Sequence, residues 1–534
     1  MENFILRTEE LSDEQLKELY VATEEDEKII EKLQSQSPVV LVGSRGMGKS
    51  FLFRMAQLRL KEKINEEKIF PVYVTFRSVP LLQTGNMQQF QLWMLNKICT
   101  TIIRELKKQG YIIGKNWNFG RISEENTAYT NGIESLIEIN NQFENSWKTP
   151  GIEINTSFVP TIDDIMDIIE DICDELDFKR IVVFIDEAAH VFIPEQQRQF
   201  FSMFRELRSS QLKCNASVYP GATFYGSTFE PIHDAVFVDL RRNIRDENYV
   251  RDMKQMVLNQ IKDSTTQKRL LEKGEQFTVL AYASSGNPRI LLKSVVRADN
   301  FRTKNIENVF REFYRNEIWS EHSQLVDKFP ANVEYIDWGR KFIEGTVIPE
   351  LKNKNDKFLA EGKETTAYFW IHRDSPQVVK ESLRILEYTG IIKLQATGIK
   401  ATGAAIGNRY EVNIGCLLSF EANPLVNAKD IIEKLSLGRM SEYGANSKSY
   451  SDIINKSFVI VNMNDVLKMQ LKKSVRILEL TEWQKKKLIS NRINTIEDLL
   501  NCTETKLMQI YYVGQVKARQ MKNAAVASIF EFLS

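Results

Sequence analysis

The chain of 534 residues is too long for one hydrophobic core, and with 43% hydrophobic and 27% charged residues it has the composition of an ordinary globular protein. Lys plus Arg and Asp plus Glu each number 71, so the balanced charge excludes a global electrostatic commitment to nucleic acid or to an anionic membrane. Apolar runs such as VVLV at Val39 and IVVFI at Ile181 fall far short of the roughly 18 to 20 residues that cross a bilayer.

The amino terminus, MENFILRTEELSDEQ, carries acidic residues early and no basic region followed by an apolar core, so a cytoplasmic protein with no membrane partner is expected. A polar helical lead-in over Asp13 to Leu33 comes first. SQSPVVLVG then reads as a turn and a buried strand, KSFLFRMAQLRLKEK as a helix, KIFPVYVTF as a second strand and QQFQLWMLNKICTTIIRELKK as a long amphipathic helix. Residues from about 114 to 159 show no sustained period and are expected to be an insertion. Thr161, with Asp164 three residues on, caps a helix whose apolar positions are Ile165, Ile168, Ile169, Ile172 and Leu176. RIVVFIDE, KCNASVYPG and DAVFVDL read as further strands, with the helix QQRQFFSMFRELRSS after the first of them. Strands alternating with helices predict a mostly parallel sheet covered on both faces.

The turn between the first strand and its helix is the most specific feature. Gly43, Gly48, Lys49 and Ser50 satisfy G-x-x-x-x-G-K-[ST]. The chemistry requires these residue types. Glycines let backbone N–H groups converge on phosphate oxygens, the lysine reaches the β and γ phosphates, the serine ligates Mg²⁺, and the helix points its positive end at the anion. The expected nucleotide cradle is therefore Gly43, Ser44, Arg45, Gly46, Met47, Gly48, Lys49, Ser50 and Phe51, for ATP with Mg²⁺. RIVVFIDE ends in two carboxylates at the edge where parallel sheets bind ligands. Asp186 is the expected second metal ligand beside Ser50, and Glu187 the residue that polarises a water for in-line attack on the γ phosphate.

These motifs resemble P-loop ATPases with a catalytic glutamate, in which one more strand lies between the two motif strands. KCNASVYPG is placed to be that strand, with Ser217 or Thr223 as the polar residue near its end. From Glu247 to Ala298 the pattern is helical, and SSGNPRILLKSVV puts Arg289 in a Gly-Asn-Pro-Arg turn that resembles the lid turn of AAA+ ATPases. That resemblance implies a catalytic arginine reaching back to the nucleotide. Arg241, Arg242 and Arg245 read equally as an arginine finger for a neighbouring subunit or as solvated side chains.

Near Thr365 to Phe420, a helix capped at Ser375 with Pro376 at its first position precedes two strands around a Gly-rich loop, the pattern of a winged helix. Gln377, Lys380, Glu381 and Arg384 share the face opposite its apolar stripe, placed for a DNA major groove or for a protein partner, and Lys393, Lys400 and Arg409 lie on the wing for phosphates. The last segment, from Leu480, resembles a helix-hairpin-helix pair with Gly514 at the turn and Lys517 and Arg519 beside it. From Lys468 onward twelve basic residues face six acidic ones, so the tail is positive in a neutral chain.

Core, lid and winged helix in that order resemble origin-recognition-complex-type AAA+ ATPases and, less closely, STAND signalling ATPases. The opening resembles bacterial proteins grouped loosely with the former, some of which act in defence against phage. The fold class expected is an α/β P-loop NTPase core over residues 1–245, a helical lid over 246–315, a linker plus winged helix over 316–420, a linker over 421–475 and an all-α helix-hairpin-helix domain over 476–534. The resemblance implies ATP hydrolysis whose nucleotide state controls DNA binding or homo-oligomer assembly. Its alternative is a STAND-like or anti-phage switch recruiting a separate effector protein. The five cysteines and four histidines are scattered and no pair has zinc-ligand spacing, so no structural zinc is expected.

Overall fold

The computed structural model describes residues 4–76, 88–112, 129–148, 152–157, 159–188, 194–226, 228–327, 332–454 and 465–530. Contacts group them into two compact units, one of Ile5–Gly43 and Met47–Arg241, the other of Ser44–Gly46 and the chain from Arg242 onward.

In the N-terminal unit the polar lead-in forms two helices, α1 (Asp13–Leu19) and α2 (Glu24–Gln34), because Thr23 interrupts the run and caps the second through the Asp26 amide. Strand β1 (Val39–Val42) is followed by α3 (Lys49–Glu62), and β2 (Ile69–Thr75) by α4 (Gln88–Lys108). The 114–159 stretch has a helix of its own, α5 (Tyr129–Asn145), whose Leu136 carbonyl accepts from buried Asn96 of α4 at 2.8 Å; residues 114–128, 149–151 and 158 of that stretch lie outside the described ones. Helix α6 (Ile162–Glu175) opens with the expected capping box of Thr161 and Asp164. Then follow β3 (Arg180–Asp186), α7 (Pro194–Glu206), β4 (Leu212–Val218) and β5 (Val236–Asp239).

The five strands form one parallel sheet in the order β2-β3-β4-β1-β5. Alternation along β3 assigns its side chains to two cores. Val182 and Phe184 pack with Val39, Leu41, Leu52 and Phe53 of β1 and α3, while Ile181, Val183 and Ile185 pack with residues of α4, α6 and α7. The Phe53 and Phe184 rings meet edge to face, centroids 5.6 Å apart. This is the α/β P-loop core, and β4 occupies the position between the two motif strands.

Strand β4 explains why a strand reading KCNASV is fully buried. Its apolar residues Cys214 and Ala216 face one core, and its polar ones face α2 and the site. Lys213 donates to the carbonyls of Lys32, Leu33 and Ser35, the last two at 2.8 and 2.7 Å, and Asn215 donates to Leu33. These side chains bond carbonyls at the C-terminal end of α2 and just beyond it, where intrahelical bonding ends; the Lys32 carbonyl also accepts from Ser35. Burial, with Arg180 adding to it, pulls the Lys213 ammonium down to about 7. Lys213→Met is expected to destabilise the N-terminal unit by about 3 kcal/mol, read from chemical denaturation, because it leaves buried carbonyls unsatisfied.

The C-terminal unit begins with α8 (Tyr249–Gln260), α9 (Ser264–Glu272), α10 (Gly274–Ala283) and α11 (Pro288–Ala298). Further on, α12 (Val333–Phe342) and α13 (Ile348–Ala360) precede β6 (Tyr368–His372), α14 (Gln377–Thr389) and the antiparallel hairpin of β7 (Ile392–Lys400) and β8 (Ile406–Val412). Pro376 is the residue before α14, so the helix starts one position later than expected and has no side-chain cap from Ser375. The stretch 421–475, expected as a linker, contains α15 (Pro424–Glu433) and a strand, β9 (Ser441–Tyr443), that pairs in parallel with β6 and completes a sheet in the order β7-β8-β6-β9. Helices α16 (Asp465–Lys472), α17 (Glu482–Ser490), α18 (Ile496–Asn501), α19 (Glu504–Leu507) and α20 (Gln515–Phe530) end the unit, and the second to fourth of them start at the caps Thr481, Thr495 and Thr503.

His322 is fully buried, with Nε2 against the Ile336 carbonyl at 3.2 Å and Nδ1 against Thr389 Oγ1 at 3.3 Å. Burial, with the Arg340 charge adding to it, holds its imidazole down to about 4. The unfolded chain takes up that proton near pH 6.5, so the stabilisation is complete above pH 6.5 and is lost as the pH falls toward 4, in total about 3 kcal/mol. Denaturation curves between pH 7.5 and 4 should show that loss in the wild type, and a shallower pH dependence in His322→Gln.

Candidate functional site

The carboxyl edge of the parallel sheet gathers the motif residues of the N-terminal unit. Register places Val42 beside Val218 and Ile185 beside Ala216, so the phosphate-type loop after β1 and the acidic pair after β3 leave the same edge with β4 between them. The Gly43 amide donates to the Val218 carbonyl at 3.2 Å, extending the β1–β4 ladder into the loop. Gly46 and Gly48 have φ of +89° and +101°, a region that disfavours side chains, and Gly48 is the residue from which α3 starts without any side-chain cap. The first-turn amides of this 14-residue helix are thus not capped by a side chain, as an anion cradle requires.

Side chains in the loop have other work. Met47 is buried in the core, Phe51 stacks on Tyr20 with centroids 6.2 Å apart, and Arg45 is exposed. Lys49 is buried; its Nζ donates to the Gly43 carbonyl at 2.6 Å and stands 4.1 Å from the centre of the Tyr219 ring. Ser50 is half-buried in the first turn of α3.

Asp186 closes β3 and is buried. One of its oxygens accepts from the Ser217 hydroxyl and, at 3.0 Å, from the Glu187 amide; the other accepts from the Tyr73 hydroxyl at 2.6 Å. Burial, together with this carboxylate, raises the Tyr73 phenol above its ordinary value and keeps it a donor. Glu187 has φ of +57°, uncommon for a residue with a side chain, and its amide is shared between Asp186 and Ser217 Oγ at 3.1 Å. Of the two polar residues expected near the end of β4, Ser217 is therefore the one on the acidic pair; Thr223 lies beyond the strand and donates to the Tyr219 carbonyl. Tyr73 and Tyr219 were not singled out in the sequence. The available signal for Tyr73 was its position two residues before the end of a strand adjacent to β3.

Within the C-terminal unit, to which Ser44–Gly46 belong by their contacts, Arg289 is the second residue of α11. Asn287 caps that helix through the Ile290 amide and donates to the Arg45 carbonyl at 2.9 Å, and the Arg289 amide faces the Gly46 carbonyl at 3.4 Å. A Cβ at Gly46 would lie 2.7 Å from that of Arg289, so this glycine is needed for close approach as well as for its torsion. Arg241 pairs with Asp239, the Arg242 carbonyl packs against Gly286, and Arg245 is exposed.

Of the four residues expected on the polar face of α14, Gln377, Lys380 and Arg384 are half-buried. Glu381 is buried, it pairs with Arg384 at 3.1 Å and accepts from Gln377, and Asn523 of α20 accepts from the Gln377 amide at 2.8 Å and donates to the Ser375 carbonyl. Helix α14 is thus packed along its apolar stripe and against α20, which a single-stripe reading could not reveal. On the wing, Arg409 is engaged by Gln395 and the Leu437 carbonyl, while Lys400 is exposed. In the tail, Arg519 is buried in an ion pair with Glu504 and donates to the Ala445 carbonyl, and Lys522 donates to the Leu500 and Cys502 carbonyls at the end of α18. Both cations serve the fold; Lys517 is exposed near Gly514.

Among the described residues there is no cluster of three or more metal-ligating side chains and no helix long and apolar enough to cross a membrane. All five cysteines are buried thiols.

No curated protein matches the chain. Among solved structures, the backbone is similar to that of the Aeropyrum pernix ORC1 protein in complex with DNA, at 12% identity, covering 76% of this chain and 90% of that one with a TM-score of 0.32. It is also similar to the Aeropyrum pernix ORC2 protein in its ADPNP-ADP complexes, at 10% identity, 79% and 98% coverage and a TM-score of 0.37. A third similar structure is AMPPCP-bound DnaA from Aquifex aeolicus, at 10% identity, 64% and 87% coverage and a TM-score of 0.27. The ORC-CDC6-like family model matches residues 5–91, the stretch that runs from the lead-in helices through the Gly-rich loop and β2 to the start of α4.

Proposed function

We propose that the chain is an ATPase of the origin-recognition AAA+ kind, in which bound nucleotide governs engagement of DNA and assembly with further copies. The observation that carries this reading is the edge shared by the Gly-rich loop and the Asp186–Glu187 pair, one strand apart, with Asp186 held by three donors and Glu187 in a strained backbone. Amides from Gly43 to Phe51 cradle the phosphates, and Lys49 exchanges the Gly43 carbonyl for phosphate oxygens. Ser50 and Asp186 would hold Mg²⁺, which would neutralise charge on the phosphates. Tyr73 and Ser217 fix the Asp186 carboxylate, and through the shared amide they set where Glu187 begins. Glu187 accepts the proton of the attacking water. Arg289 brings a cation to the loop that Asn287 already grips, which couples nucleotide to the movement of the lid helices.

DNA contact is assigned to the tip of the β7–β8 wing at Lys400 and to the helix-hairpin-helix region around Gly514 and Lys517. A second reading, a switch that recruits a separate effector protein, is favoured by the engagement of α14 with α20. Phosphate release measured with and without DNA, together with the mass of the ATP-bound form, tests both. The ATPase reading fails if no phosphate is released with Mg²⁺ and DNA present. An ATP-dependent gain in mass without salt-sensitive DNA affinity selects the second reading.

A further inference from the structure

We propose that the hairpin at residues 508–514 is a stacking platform for unpaired bases, so that the nucleic acid engaged there is single-stranded. This deepens the nucleic-acid reading of the basic tail and rests on it.

Ile510 and Val513 point into the core of the terminal helices, whereas Tyr511 and Tyr512 between them are 71% and 70% exposed. Two neighbouring tyrosines in water are not needed to make this turn, where Ser, Asn or Gly would serve. Tyr512 has φ of +66°, a rare conformation for a bulky residue, and its ring centre lies 4.2 Å from that of Tyr511. Trp483 of α17 beside them is 37% exposed.

Cations are fixed beside these rings. Lys517 stands 4.2 Å over the Trp483 ring and donates to the Tyr512 carbonyl at 3.2 Å. Lys487 lies between two rings, 5.6 Å from the centre of Trp483 and 5.5 Å from that of Tyr511. The result is two exposed tyrosine rings beside Trp483, whose ring Lys517 covers, with two ammonium groups among them, in a tail whose charge is positive.

A duplex presents sugar and phosphate to a protruding hairpin and keeps its bases stacked inside, so the lysines would be used and the tyrosines would not. A single strand offers both parts at once: phosphates for Lys487 and Lys517, and base faces for Tyr511 and Tyr512. Stacking is tolerant of sequence, so the platform selects strandedness rather than sequence.

The test uses the full chain and fluorescence anisotropy with three labelled probes of equal length, a thymine DNA homopolymer, a uracil RNA homopolymer and a mixed-sequence duplex, each titrated at two salt concentrations. Wild-type protein should prefer the homopolymers, and their relative affinity tells whether DNA or RNA is the better ligand. Tyr511→Ala and Tyr512→Gly, at exposed positions, should weaken single-strand binding by about tenfold to a hundredfold and leave duplex binding unchanged, while Tyr511→Phe retains wild-type affinity. Equal losses on duplex and single strand, or a wild-type preference for duplex, would overturn the platform and leave a DNA-binding ATPase standing. If none of the three probes binds with salt sensitivity, the nucleic-acid reading itself falls and the rings become a protein surface.

Discussion

Glu187→Gln is expected to slow phosphate release from ATP by at least about a hundredfold while ATP stays bound, the range that loss of a positioned general base produces. The substitution keeps the shape of the side chain and the backbone amide that Asp186 and Ser217 share, and removes the charge and the capacity to take a proton. Single-turnover release with radiolabelled ATP, next to retention of the same nucleotide on a filter, separates the two quantities. Retention falling along with turnover would place Glu187 in binding rather than in proton transfer. Its backbone gives a second check. Because φ is +57°, Glu187→Gly should be more stable than Glu187→Ala by about 1 kcal/mol, although both are inactive. Tyr73→Phe and Ser217→Ala should lower turnover without abolishing it, since each removes one of the donors that hold Asp186; Ser217→Ala also takes one acceptor from the Glu187 amide and should cost more.

The sequence was most legible where one physical demand dominates. A parallel strand buried on both faces must be apolar throughout, so β1 and β3 announce themselves, and a loop that wraps its backbone around an anion must have glycine where φ is positive, as at Gly46 and Gly48. Strand β4 was legible by its place in the chain, although its alternate residues are polar. What those residues do was not legible, because Lys213 and Asn215 answer carbonyls of α2 about 180 positions away in sequence. The same limit hid Tyr73 on Asp186. It applies also to α14, whose polar face reads as a surface for DNA or a protein partner: the contact of the Gln377 amide with Asn523 of α20, about 146 positions downstream, is not legible in the spacing of its apolar residues. Arg519 and Lys522 counted as DNA-directed charge in a sum over the tail, but an ion pair and helix-end carbonyls claim them. Periodicity reports the spacing of apolar positions; it does not report which polar groups are needed to satisfy distant backbone.

Lys49→Ala is expected to raise the Kd for ATP by about a hundredfold, the loss that follows when a cation on the β and γ phosphates is removed from a site of low dielectric. Lys49 Nζ contacts the Gly43 carbonyl and the Tyr219 ring face, and a phosphate oxygen is a much stronger partner than either. The consequence can be read as stability. At an ATP concentration a hundred times the wild-type Kd, binding adds about 2.7 kcal/mol to the folded state, and after a hundredfold loss of affinity the same ATP adds about 0.4 kcal/mol. Thermal melts with and without ATP and Mg²⁺ should accordingly show a clear upward shift for wild-type protein and for Glu187→Gln, and almost none for Lys49→Ala. A Lys49→Ala protein that still gains the full shift would mean that ATP binds away from the glycine loop, and the assignment of Asp186 and Glu187 to its γ phosphate would fall with it.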